Sequence, residues 1–187
     1  MIFGIIVIVL LVVLIAYCVS AYNTLVSLKN RTDSSWAQIE VQLQRRFDLI
    51  PNLVEVVKGY AKHESDVLTA VTAARASASK AIKSGTVSDA KVAEKDYQAA
   101  RLAINAVSEA YPDLKASKNF SSLQEELVTT ENKVAAARQF YNDAVMLYNT
   151  KKETVPTNLI AGFGDFPKKD LFEVADETVR VAPKVSF

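Results

Sequence analysis

The chain has 187 residues, 50% hydrophobic and 23% charged, and its 22 Lys and Arg against 21 Asp and Glu leave a formal charge of +1. That balance gives no field able to gather nucleic acid, so a basic nucleic-acid binder is excluded. Cys18 is the one cysteine, which excludes an intrachain disulfide and any cysteine-based zinc site.

Ile2 to Val19 (IFGIIVIVLLVVLIAYCV) is almost wholly apolar, and the first charged side chain is Lys29. At about 1.5 Å per residue the run just crosses a bilayer core of roughly 30 Å. A cleaved signal would carry a basic n-region and a shorter apolar run, so a retained anchor at residues 1–21 is the expectation. Bulky Tyr17 before Cys18 argues against a lipoprotein signal. Lys29 and Arg31 follow the span and no Lys or Arg precedes it, so the expected topology is a single-pass inner-membrane protein with the N-terminus outside and the rest cytoplasmic.

Beyond the anchor, a mostly apolar stripe recurs at steps of three and four, Leu25, Leu28, Thr32, Trp36, Ile39, Leu43, Phe47, Ile50, Val54, Val57 and Ala61, and continues through Leu68, Val71 and Ala78 to Ile82. This is the amphipathic helical period. Pro51 interrupts it at a cost of about 3 kcal/mol in a helix interior. Either the helix continues through Pro51 with a kink, as the unbroken phase suggests, or the chain reverses over Asp48 to Asn52. Reversal gives helices of roughly 28, 30, 24 and 30 residues, the matched lengths of a four-helix bundle, and is the favoured reading.

Ser84 to Asp89 (SGTVSD) ends one helix and caps the next, which runs through Tyr97, Ile104 and Val107 and stops before Pro112. A loop over 112–119 leads to a last helix, with Ser121 or Ser122 as cap and Glu125 or Glu126 placed for a capping box. Its stripe reads Leu123, Leu127, Val134, Ala137, Tyr141, Val145, Tyr148. The predicted fold is therefore all-α: a transmembrane helix, an antiparallel helical bundle over 22–150, and an irregular tail over 151–187 that packs on the bundle or a partner.

The stretches YNTLVSL (Tyr22 to Leu28), WAQIEVQLQRRFDLIPNLVEVVKGYAKHE (Trp36 to Glu64), EAYPDLKASKNFSSLQEELVTTENK (Glu109 to Lys133) and ARQFYNDAVMLYNT (Ala137 to Thr150) resemble the LemA family of bacterial membrane-anchored helical proteins. The resemblance implies an outward N-terminus, one membrane helix and a cytoplasmic bundle; it implies no reaction. Val155, where an aromatic is expected before Pro156, is a departure that bears on tail packing.

No catalytic set stands out. His63-Glu64 opens like a HExxH zinc motif, but position 67 is valine and there is no second histidine. Serines lack a base or an elbow motif. Arg45 and Arg46 face Glu125 and Glu126 as a rim salt bridge on solvated faces. Tyr141-Asn142 and Tyr148-Asn149 lie one heptad apart, with the tyrosines expected in the seam and the asparagines bonding across helices to fix register. Phe163, Phe166, Phe172 and Phe187 are expected to dock on the bundle.

The expected function is a membrane-anchored interaction or scaffold protein without enzyme activity, cofactor or metal, held in the bilayer through residues 2–19. A homo-oligomer is expected, because Leu25 to Leu43 would be left uncovered by shorter helices; a membrane or cytoplasmic protein partner is the further candidate. The alternative is a membrane-bound hydrolase or metal-dependent enzyme using Arg45, Arg46, Asp48, His63 and Glu64.

Overall fold

The computed structural model describes residues 2–60 and 65–173. Among them are six helices and no strand: α1 (Ile2–Tyr60), α2 (Ser65–Ser84), α3 (Val87–Ala110), α4 (Pro112–Lys115), α5 (Lys118–Glu153) and α6 (Thr157–Ala161). The all-α prediction holds.

The reversal at Pro51 does not. α1 is one helix of 59 residues that passes through Pro51. Phe47, Leu49, Ile50, Leu53, Val54 and Val57 are buried on either side of the proline. Each such side chain gains about 1.5–3 kcal/mol on burial, so two of them already offset the lost hydrogen bond at Phe47. The unbroken apolar phase was the decisive signal, and matched helix length was the misleading one.

Side-chain pairs fix the helix directions. Pro51 and Asp48 share a groove with Arg75 and Ser79, so α2 runs back along α1. Arg46 meets Glu94 and Tyr97 meets Glu131, so α3 runs with α1 and α5 against both. Arg45 meets Glu126 near one end of the α1–α5 pair, and Trp36 meets Tyr141 further along. The result is a four-helix antiparallel bundle built from the second half of α1 with α2, α3 and α5, and its core holds Ile39, Leu53, Ala74, Ala93, Tyr97 and Val134.

The turns explain their residues. Gly85 has φ +60, a conformation that favours glycine, and Thr86 caps α3 by accepting from the Asp89 N–H at 3.3 Å. Between Pro112 and Asn119 the predicted loop contains α4. Ser117, not Ser121 or Ser122, is the N-cap residue of α5, which therefore begins earlier than the capping-box pattern suggested and buries Phe120 in its first turn.

α2 and α3 are shorter than α1 and α5, and the α2–α3 turn lies level with Trp36 and Glu40. Past that level α1 and α5 continue as a two-helix stalk, and α6 with residues 165–172 folds back along it. A second apolar cluster, Leu25, Tyr148, Ala161 and Phe166, closes this region. Leu25 is buried in this second cluster and Ile39 and Leu43 in the bundle core, all within one chain. The premise that they need a second copy to cover them fails.

Candidate functional site

Residues 165–172 form a strap in the groove between α1 and α5. It is held by its main chain. Asn149 donates to the Lys169 carbonyl at 2.8 Å and accepts from the Lys169 N–H at 3.1 Å. Asn142 does the same to Phe172, at 3.3 and 2.8 Å. The Tyr148 hydroxyl donates to the Pro167 carbonyl at 2.8 Å, and that of Tyr141 to the Asp170 carbonyl at 2.9 Å.

Each Tyr-Asn pair therefore repeats the same contacts, three strap residues apart. The spacing is geometric. Seven helical residues rise about 10.5 Å, close to the roughly 10 Å spanned by three extended residues. The strap runs antiparallel to α5, because the later asparagine holds the earlier strap residue.

Aromatic rings anchor both ends. Phe166 lies edge-on to Tyr22 at 5.4 Å, and Phe172 lies 6.2 Å from Trp36 with the Arg138 guanidinium 5.6 Å from its ring. Gly164 leaves no room for a side chain: a β-carbon there would lie 2.5 Å from the Phe166 ring and 3.3 Å from Tyr22. Ion pairs line the rim, Lys29 with Asp165 at 3.3 Å, Lys169 with Asp33 at 3.0 Å and Lys168 with Glu153 at 2.9 Å. Burial raises the Tyr141 hydroxyl, with help from Asp170 and Asp33, to about 12. Tyr148 is raised for the same first reason, so both remain protonated donors at neutral pH.

The bundle interior carries a second polar feature. Arg46, only 2% exposed, pairs with Glu94 at 2.7 Å. Gln98 donates to the other Glu94 oxygen at 3.0 Å. The Arg46 guanidinium lies 3.8 Å from the Tyr97 ring centroid, close enough for a strong cation–π contact. Tyr97 donates to Glu131, which also pairs with Arg101 at 3.0 Å.

Burial alone would raise the Glu94 carboxyl, but the charge and hydrogen bond of Arg46 outweigh it and hold that carboxyl below the usual range. Arg138 is lowered by burial and by Arg46, with Glu94 pulling the other way. Among the described residues neither Arg46 Nε nor Arg138 Nη1 has an acceptor, and the charge of Glu94, paired with Arg46, also acts on Arg138. The network joins α1, α3 and α5 through paired charges.

The LemA family model matches residues 35–187, which include the bundle and the strap. The chain belongs to the LemA family. It is 25% identical to Magnetosome protein MamQ 2 of Paramagnetospirillum magneticum over 93% of this chain and 73% of that protein. Protein LemA of Metamycoplasma hominis is 28% identical over 82% and 67% of the two chains. Magnetosome protein MamQ of Magnetospirillum gryphiswaldense is 22% identical over 94% and 74%.

In this LemA-family chain the sequence-derived candidates separate into distinct places. Tyr141, Asn142, Tyr148 and Asn149 do act together, with the tyrosine rings buried as expected. The asparagines bond the strap's main chain instead of a neighbouring helix, because the strap occupies that face. Arg45 makes the expected rim bridge to Glu126 at 3.2 Å. Arg46 does not share it, being turned inward to Glu94.

Asp48 accepts from Gln44 at 2.7 Å on the surface. Pro51 lies inside α1. His63 and Glu64 fall outside the described residues. Sequence reasoning missed Glu94, Tyr97 and Arg138 as polar partners. The signal was present, since Arg46 stands three positions after Leu43 and Glu94 three before Tyr97, each in phase with a core stripe.

Proposed function

We propose that the protein is a non-catalytic, membrane-anchored interaction scaffold that associates with a second copy through the open face of the α1–α5 pair. Residues 2–19 place it in the bilayer, and Lys29 with Arg31 favour a cytoplasmic bundle in the inner membrane. The carrying observation is an exposed apolar surface opposite the α2–α3 layer. Val41 and Phe140 stand out to solvent beside Ala37 and Ala136, which line the same groove. Small residues flanked by large apolar ones let two helices approach closely, and Ser34, Gln38, Gln42 and Lys133 give the groove the polar rim of an association surface.

The test uses full-length protein with Cys18→Ser and Val41→Cys in native membranes, together with the mass of the detergent-solubilised protein. A disulfide between copies, lost when Phe140→Asp is added, is the expected result. A strict monomer with no crosslink at Val41→Cys would overturn the proposal.

A further inference from the structure

Val155, Leu159 and Phe163 follow one another at intervals of four and are 72%, 65% and 94% exposed. Leu159 lies in α6 and the other two in the turns at its ends, so that exposed apolar side chains run the length of this segment. The opposite side of α6 faces inward, with Thr157 and Ala161 buried. No charge occurs from Val155 to Gly164. A segment of this kind on an aqueous surface leaves a large apolar area in water without a neighbour.

Its position in the molecule identifies what lies against it. Phe166 packs on Tyr22, a β-carbon on Gly164 would lie against the same ring, and Ala161 clusters with Leu25. Tyr22 lies three residues beyond Val19, about 4.5 Å along the helix from the end of the apolar span. α6 is therefore level with the bilayer surface. Tyr17 and Tyr22 are exposed on α1 at this level, as interfacial aromatic residues are, while Lys29 lies further from the span.

We propose that the exposed apolar segment carrying Val155, Leu159 and Phe163 is a second membrane contact, seated in the headgroup region of the bilayer that α1 crosses. It rests on the reading of residues 2–19 as the anchor. With the strap tying α6 to both α1 and α5, the contact fixes the rotation and tilt of the bundle on the lipid surface, which a single span leaves free.

The test places the full chain in lipid nanodiscs made with phospholipids brominated at the upper acyl positions. Trp36→Phe provides a tryptophan-free background for three single-tryptophan variants: Phe163→Trp, Val12→Trp inside the span, and Phe140→Trp on the exposed face of α5 far from the membrane. Phe163 is exposed, so its replacement does not disturb the core.

The expected result is bromine quenching for Phe163→Trp and Val12→Trp and none for Phe140→Trp, since quenching reports contact with lipid and not burial against a second copy. Phe163→Trp matching Phe140→Trp while Val12→Trp is quenched overturns the second contact alone. Loss of quenching at Val12→Trp overturns the anchor, and the second contact with it.

Discussion

Arg46 and Glu94 show how much depends on single side chains. Both are buried, and removing one partner leaves the other charge without compensation, at a cost of about 3–5 kcal/mol. Arg46→Ala and Glu94→Gln should each lower stability by that order in denaturant titration. The double change Arg46→Met with Glu94→Leu should recover part of it, since an apolar pair removes both desolvation penalties but takes from Arg138 the carboxylate that offsets its burial. The pair also sets an acid limit. The folded carboxyl sits below its unfolded value of about 4.3, so its contribution is complete above that pH and is lost as pH falls through the lower folded value. Acid unfolding followed by circular dichroism should therefore be shallower in the double variant. The sequence carried the helical phase of both residues. It did not carry their pairing, because two adjacent arginines look alike until the rotation of α1 against α3 turns one inward.

At the scale of elements, the strap behaves as a separable piece. Asn142 and Asn149 each make two main-chain hydrogen bonds, and a net hydrogen bond contributes about 0.5–1.5 kcal/mol. Asn142→Ala with Asn149→Ala should release the strap without unfolding the bundle. Faster proteolysis after Lys168 or Lys169, with unchanged helical content, is the expected readout. Phe172→Ala should act in the same direction and shift the emission of Trp36, the single tryptophan, which lies beside that ring. Pro51→Ala should stabilise α1 by about 2 kcal/mol, because the regained helix bond outweighs the added freedom of the unfolded chain. The contrast in legibility is physical. The α5 stripe and the Tyr-Asn repeat were visible as periodicity, whereas an extended strap recognised through its backbone leaves no pattern in its own side chains beyond Phe166 and Phe172.

The whole molecule divides by solvent. Residues 2–17 are all exposed outside the bundle core, and they open the helix Ile2–Tyr60, whose N-terminal apolar stretch is long enough to cross a membrane. Removing residues 2–19 should move the protein to the soluble fraction and leave the bundle's thermal transition unchanged, because no core contact is lost. The helices and their core were readable from spacing alone. Burial of Leu25 was not, since it depends on a tail whose composition looks like a loop. The unbroken run of α1 has one further effect. With no joint between lipid and bundle, the helix is a lever: Tyr60 stands about 60 Å from the end of the span, so a 10° lean in the bilayer would swing that far tip by about 10 Å. Changes in membrane thickness or curvature would reach the distal end of the protein as displacement, with no signalling chemistry in between.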